Sequence, residues 1–146
     1  MRLALAEAGR AHGTGDVPVG AVVLDAAGVL LGRGWNAREA DGDPTAHAEL
    51  IAIRAAARTA GAWRLSGCTI IVTLEPCTMC AGAIVLARLA RLVFGAYDAK
   101  AGAVGSLWDV VRDRRLNSRP EVVGGVLAGD CGEMLSAFFR ARREVR

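Results

Sequence analysis

The chain has 146 residues, of which 53% are hydrophobic and 23% charged, so it can bury the core of one folded domain, residues 1–146, and is not intrinsically disordered. The formal net charge of +3 allows an anionic partner but does not require one. The most apolar stretch, residues 80–96, contains Arg88 and Arg91 and is too short for a membrane span. The first residues read as an amphipathic helix rather than a signal peptide, and the four cysteines do not suggest a disulfide framework. We therefore expect a cytoplasmic protein with no membrane partner.

Hydrophobic patterns and turn residues predict strands and helices in alternation. The predicted strands are the apolar runs 17–24, 29–34, 69–74, 92–96 and 121–127. The predicted helices are 1–11, 44–59, a segment that starts at residue 76, a short segment at 106–112, and 130–146. A polar loop is predicted at 36–43 and a glycine-containing loop at 98–105. A hairpin followed by this alternation predicts an α/β fold whose sheet is covered by helices on both faces.

Proline marks the start of two of these helices. Asp43 is a favoured N-cap and Pro44 a favoured first helical residue, and Pro76 is expected to open the next helix. The apolar residues that we expect to face the core from the two proline-marked helices and the last one are Leu50, Ile51, Ile53, Ile84, Val85, Leu89, Met134, Leu135, Phe138 and Phe139.

Two short motifs carry the chemistry, His47-Ala48-Glu49 and Pro76-Cys77-Thr78-Met79-Cys80. Cys77 and Cys80 are three residues apart and therefore share one face of a helix. In the first turn of a helix, the unpaired N–H groups and the positive end of the dipole favour thiolates. His47 also lies near a predicted helix start. Three nitrogen and sulfur ligands leave the fourth tetrahedral position open, which is typical of a catalytic zinc site rather than a structural one.

Glu49 is predicted to move a proton rather than to bind the metal. Residues i and i+2 do not face each other along a helix, so His47 and Glu49 converge on one pocket only at the helix end. A carboxylate there can take a proton from a water that zinc has made acidic and deliver it to a substrate.

The two motifs are more specific together than apart. A lone Cys-x-x-Cys or His-x-Glu is equally compatible with a buried cysteine or with a glutamate that serves the helix dipole. Here 30 residues separate His47 from Cys77, which is room for one helix and one strand. A strand-to-helix unit places such helix starts side by side at one end of an α/β sheet, where ligand sites lie.

The chain resembles the bacterial tRNA adenosine deaminases of the cytidine-deaminase-like superfamily. The segments that carry the resemblance are VPVGAVV at 17–23, GWN at 34–36, DPTAHAE at 43–49, TLEPCTMCAGA at 73–83, VFGAYDAKAGAVGSL at 93–107 and LSAFFRARR at 135–143. The zinc motifs belong to the whole superfamily, whereas the 93–107 loop and the arginine-containing tail point to the tRNA branch. The chain departs from the family pattern in two places. Family members usually begin several residues earlier, and residue 118, which follows Asn117, is serine here where the family commonly has histidine.

The resemblance implies a three-layer sandwich with a five-stranded mixed sheet, one Zn²⁺ per subunit and a homodimer. The implied reaction converts the wobble adenosine of a tRNA anticodon stem-loop to inosine, with zinc-activated water as nucleophile and Glu49 as proton shuttle. Substrate-binding residues are expected in the GWN, HAE and 93–107 segments and beyond them: Asn36, Ala48, Asp98, Lys100, Asn117, Arg142 and Arg143.

Two other functions remain open at this point. A zinc deaminase of a free base or nucleoside, of the guanine or cytosine type, would need the same zinc motifs. A non-catalytic RNA-binding zinc domain is disfavoured by the presence of Glu49 and by the three-ligand pattern. Each terminal arginine is also compatible with a solvated residue that complements the helix dipole.

Overall fold

The structure, a computed structural model, describes residues 1–145; Arg146, the predicted end of the last helix, lies outside the described residues. In chain order the elements are α1 (Arg2–Gly9), a 3₁₀ helix (Arg10–Thr14), β1 (Gly20–Leu24), β2 (Leu30–Trp35), α2 (Arg38–Asp41), α3 (Ala48–Ala60), β3 (Thr69–Leu74), α4 (Thr78–Leu86), β4 (Arg91–Ala96), β5 (Glu121–Val123) and α5 (Ala128–Glu144). None of the helices within residues 1–145 combines the length and the apolar character that crossing a bilayer requires.

The five strands form one mixed sheet in the order β2-β1-β3-β4-β5. β1 pairs with β2 and with β3 in antiparallel directions, whereas β3, β4 and β5 are parallel. The parallel half arises because α4 connects β3 to β4 and returns the chain to the same end of the sheet. The carboxyl ends of β3 and β4 therefore lie side by side. The predicted five-stranded mixed sheet is confirmed.

Helices cover both faces of this sheet, which confirms the three-layer arrangement. The main core lies on the face covered by α3 and α4, where Val72 and Phe94 of the central strands pack with Ala52 and Ile84. On the other face, a side chain at Gly20 would collide with the backbone of α1, and one at Gly95 with Cys131 of α5. Glycine on these strands thus lets two helices lie close to the sheet.

The buried side of α3 differs from the predicted one. Ala48, Glu49, Ala52 and Ala56 are buried, whereas Leu50, Ile51 and Ile53 are only partly covered. The reason is close backbone packing against β2, because a Cβ on Gly32 would lie 2.5 Å from the Ala56 nitrogen. Only small side chains fit at such a separation.

The two predicted helix starts at proline are wrong, one by four residues and the other by two. Asp43 accepts hydrogen bonds from the N–H and hydroxyl of Thr45, both at 2.8 Å, and its carbonyl accepts one from Ala46 at 3.1 Å. These bonds close a turn around Pro44, so α3 begins only at Ala48, with His47 as its N-cap. α4 likewise begins two residues after Pro76, with Cys77 as its N-cap.

Three other predictions are corrected near the chain's irregular segments. The loop predicted at 36–43 contains the short helix α2. The helix predicted at 106–112 is absent from the described segment; an isolated bridge joins Val104 to Asp109, and the Gly102 carbonyl accepts two backbone hydrogen bonds from Leu107 and Trp108. The fifth strand ends at Val123 because glycines follow it at 124 and 125, the second with φ of 82°.

Candidate metal centre and substrate pocket

The two chemical motifs meet where α3 and α4 begin. His47 and Cys77 are the N-caps of these helices, in extended conformation, and Cys80 lies in the first turn of α4. The Nδ1 atom of His47 is 3.6 Å from the Cys77 sulfur and 3.5 Å from the Cys80 sulfur, and all three potential ligand atoms lie within 4.8 Å of one another. The predicted placement at neighbouring helix starts is therefore confirmed.

This group has the donor atoms and the spacing that zinc requires. Zinc bonds of about 2.0–2.3 Å at tetrahedral angles put neighbouring ligand atoms about 3.5 Å apart. The two nitrogen–sulfur distances of 3.5 and 3.6 Å match that separation. One imidazole and two sulfurs would hold a zinc ion and leave one tetrahedral position for water or substrate.

The two cysteines differ in acidity because they share a hydrogen bond. A hydrogen bond from the Cys80 thiol, assisted by His47, lowers the pKa of Cys77 to about 4. The same hydrogen bond, together with burial, raises the pKa of Cys80. Cys77 is thus the sulfur that loses its proton more readily. A divalent cation would release the proton of the other, since metals bind the deprotonated form.

Glu49 is the buried carboxylate of the site. It is the second residue of α3 and is only 4% exposed. Burial raises the pKa of Glu49, although a hydrogen bond with the Cys80 thiol and the nearby His47 ring act in the opposite direction. A carboxyl group whose pKa is raised keeps its proton to a higher pH than a solvated glutamate does, which suits a proton carrier.

A pocket of about 180 Å³ opens above these residues. His47, Glu49 and Cys77 line its inner end, and Val17, Val19 and Leu74 give it apolar walls. The predicted substrate-binding residues that also line it are Asn36, Ala48 and Asp98. The structure therefore places three of the seven expected substrate-binding residues in the same pocket as the candidate metal ligands.

Asn36 is held in place by its own amide. Its Nδ2 donates to the Val17 carbonyl at 3.1 Å, and its Oδ1 accepts from the Arg38 N–H at 3.3 Å. The side chain is thereby fixed against both flanking segments rather than free to rotate.

Three further predicted residues line a second, much wider groove. Lys100, Arg142 and Arg143 border this cavity of about 1210 Å³, together with Phe138 and Phe139 of α5. The Arg142 guanidinium lies 4.9 Å from the centre of the Phe138 ring. Asn117 is exposed and lines neither of the two cavities.

Two buried acids belong to this region but were not among the predicted residues. Glu75, at the end of β3, is 2% exposed and lines the pocket. Asp16, 1% exposed, accepts hydrogen bonds from the N–H groups of Glu39 and Ala40 in the first turn of α2. The signal for Glu75 was its position directly before the Pro-Cys motif; the sequence offers no comparable signal for Asp16.

Comparison with known proteins agrees with this geometry. The family described as the cytidine and deoxycytidylate deaminase zinc-binding region matches residues 1–96. The chain is 51% identical to a tRNA-specific adenosine deaminase of Haemophilus influenzae, over 99% of this chain and 83% of the relative. It is 48% identical to one of Bacillus subtilis, over 99% of this chain and 89% of the relative.

A solved structure that is similar to this chain also comes from work on tRNA deaminases. It comes from a study of A-to-I editing by tRNA:A34 deaminases at the wobble position of transfer RNA. It superimposes with a TM-score of 0.88 at 42% identity, covering 92% of this chain and 97% of the other. The chain therefore belongs to the cytidine and deoxycytidylate deaminase family and, within it, to the tRNA-specific adenosine deaminases.

Proposed function

We propose that this protein hydrolytically deaminates the wobble adenosine of a tRNA anticodon to inosine, with one zinc ion per subunit. The observation that carries the proposal is the burial of Glu49 beside His47, Cys77 and Cys80 at the inner end of a narrow pocket. The choice of substrate is supported by the similarity to tRNA-specific adenosine deaminases over 99% of the chain.

His47, Cys77 and Cys80 are the residues that would hold the zinc. When bound, zinc supplies the Lewis acidity that makes water a stronger nucleophile at neutral pH. The remaining steps fall to the chain's own side chains.

Glu49 is placed to move the proton in this reaction. Water adds to C6 of adenine and the amino group leaves as ammonia, so each turnover consumes one water and needs a proton carried from that water to the base. The Glu49 carboxylate borders the pocket and is buried. It can accept the proton on an oxygen and return it to the departing nitrogen without releasing it to solvent.

The pocket would hold the flipped base and its sugar. Val17, Val19 and Leu74 give it apolar walls that exclude water from around the base. Asn36, Ala48 and Asp98 are our candidates for the polar and backbone contacts that orient the nucleotide. A base must leave its stack to enter such a site, which favours an unpaired loop as substrate.

The wide groove would hold the nucleotides around the flipped one. Lys100, Arg142 and Arg143 supply positive charge for phosphates, and Phe138 and Phe139 supply aromatic surfaces for bases. We assign this groove to the anticodon stem-loop. Asn117 is an outlying candidate for the same RNA.

We also propose that the protein is a single-domain, cytoplasmic homodimer. Several large apolar side chains near α4 and the segment after the 98–106 loop are more than half exposed, namely Leu86, Leu107 and Trp108. Such side chains are available to an interface between copies of the chain.

The deciding assay offers the purified protein an anticodon stem-loop with a wobble adenosine beside free adenosine, guanine and cytidine. We expect inosine to form in the RNA, and a stem-loop with guanosine at that position serves as the matched control. Rapid turnover of a free base without inosine in the RNA would overturn the tRNA assignment. It would instead support a deaminase of a free base, for which the pocket itself is large enough.

A further inference from the structure

Glu75 is a buried carboxylate that the proposed chemistry leaves without a role. It directly follows β3, and it stands two residues before Cys77. It is 2% exposed. Leaving such an acid buried is costly unless hydrogen bonds satisfy it.

The partners of Glu75 come from one distant loop. Its Oε1 accepts hydrogen bonds from the Asp98 N–H at 3.1 Å and from the Ser106 hydroxyl. Its Oε2 accepts from the N–H groups of Val104 at 3.0 Å and of Ser106 at 3.1 Å. The partners lie between 23 and 31 residues further along the chain, so this carboxylate fixes tertiary structure. We call residues 98–106 the clamped loop.

The clamped loop is shaped around this one carboxyl group. A side chain at Gly102 would collide with the Glu75 carboxyl group. Within the loop, the Asp98 carboxylate accepts the Lys100 N–H at 3.0 Å. The backbone near Lys100 thus depends on Asp98, and Asp98 in turn depends on Glu75.

The clamped loop contributes to both cavities. Asp98 lines the narrow pocket, and Lys100 lines the wide groove. Through Glu75, both are tied to the segment that leads into Cys77. Glu75 therefore helps to set the distance between the candidate metal ligands and Lys100, beside the backbone hydrogen bond from the Ala103 N–H to the Pro76 carbonyl.

We propose that Glu75 is a positioning residue that holds the clamped loop in register with the metal centre and thereby determines how tightly the RNA substrate binds. The inference rests on the proposed function, because the groove is taken to bind RNA. Glu75 acts through Asp98, Lys100 and Ser106 and takes no part in the chemical step.

Kinetics of variants on the stem-loop test this role. Glu75→Gln keeps the shape but replaces one acceptor oxygen by an NH₂ group that points at N–H donors. We expect KM to rise about tenfold, as for loss of hydrogen bonds to a charged group, with kcat and zinc content close to those of the parent. Ser106→Ala should raise KM less, and Ser106→Thr, which keeps the hydroxyl, should restore it. Glu121→Gln is the matched control, because Glu121 is an exposed acid paired with Arg91 at the opposite end of the parallel strands.

Amide hydrogen exchange provides a readout that needs no substrate. Glu75→Gln should exchange faster than the parent at residues 98–106 and at the parental rate in β3, while Glu121→Gln should match the parent in both. An active parent whose KM is unchanged by Glu75→Gln would overturn the inference, as would a variant that loses zinc and kcat together. A parent that makes no inosine in the stem-loop would overturn the proposed function instead.

Discussion

Only one residue separates His47 from Glu49, yet both side chains reach one pocket. His47 precedes α3 in extended conformation, whereas Glu49 lies inside its first turn. Within one helix, side chains at positions i and i+2 point to different sides. Because the backbone is extended at His47 and helical at Glu49, these two side chains can instead point into the same pocket. The N-cap position of His47 thus places a candidate metal ligand beside Glu49, the proposed proton carrier.

Replacing Glu49 by glutamine separates the proton transfer from metal binding. We expect Glu49→Gln to retain zinc at the parental ratio and to lower kcat by about 10²–10⁴-fold, the usual contribution of acid–base catalysis. Metal analysis and inosine formation in the stem-loop measure the two effects, with Glu121→Gln as control. Parental turnover by Glu49→Gln would show that the proton passes through another group.

At the scale of elements, α3 and β2 are joined by backbone contact rather than by large side chains. Alanines on α3 face glycines on β2, so the helix lies close to the strand. This closeness fixes where α3 begins relative to the sheet, and with it the position of His47.

Adding one methyl group to this contact should be costly. Gly32→Ala places a Cβ 2.5 Å from the Ala56 nitrogen, and we expect it to lower the free energy of unfolding by about 1–3 kcal/mol through overpacking. Gly132→Ala on α5 meets nothing within 4 Å and should be neutral or stabilising by up to about 1 kcal/mol. Urea denaturation compares the two. Equal stabilities would contradict the close packing.

α2 is held by an acid from outside the helix. Burial alone would raise the pKa of Asp16, but hydrogen bonds from the Glu39 N–H, the Thr14 hydroxyl and the Ala40 N–H hold this pKa below its usual value of 3.8. A depressed folded-state pKa means that the ionised acid stabilises the fold above pH 3.8 and that this contribution is lost as the pH falls through the folded-state pKa.

Asp16→Asn should therefore destabilise the protein in a pH-dependent manner. At pH 7 we expect a loss of about 1–3 kcal/mol, the effect of leaving buried donors poorly paired. The gap between parent and variant should narrow as the pH falls below 3.8. Asp41→Asn, an exposed acid on the same short helix, serves as control. A gap that stays constant from pH 7 to pH 3 would contradict the depressed pKa.

The sequence predicted regular elements better than their ends. The β-branched run at 69–74 is strand β3 with the predicted bounds. A continuous run of β-branched and apolar residues favours a buried strand without help from other segments. Pro44 was misplaced because proline suits a turn as well as a helix start, and the Asp43 hydrogen bonds decide between them. The grouping of His47, Cys77 and Cys80 was predictable from spacing. The buried roles of Glu75 and Asp16 were not, since most of their hydrogen-bond partners lie 23 or more residues away.

At the scale of the whole molecule, the two cavities share the clamped loop. Asp98 belongs to the narrow pocket and Lys100 to the wide groove, although only one residue separates them. A net charge of +3 is modest, but Lys100, Arg142 and Arg143 place positive charge along the wide groove. Local placement of charge, rather than its total, would recruit the RNA.

The proposed homodimer makes a hydrodynamic prediction. Sedimentation should give a mass near twice the 15.2 kDa of one chain. Trp108→Glu should shift the protein towards the monomer, because a buried charge opposes association. Trp63→Glu is the control, since Trp63 is equally exposed but lies against Arg64 and Arg88. A parent that sediments as a monomer at assay concentration would exclude the dimer.

The metal ligands come from two helix starts that are 30 residues apart in the chain. A bound ion is therefore a cross-link between α3 and α4, and any ligand that binds only the folded state stabilises it in proportion to the logarithm of its free concentration. At a free ion concentration of 100 times the dissociation constant, the gain in the free energy of unfolding is about 2.7 kcal/mol.

We expect chelation to lower Tm and zinc addition to raise it again. Cys77→Ser should lose this response, whereas Cys68→Ser, which alters a buried cysteine outside the metal group, should keep it. A Tm that does not depend on zinc would contradict the cross-link. With that response, part of the folding stability of this protein would depend on the free zinc concentration around it as well as on its sequence.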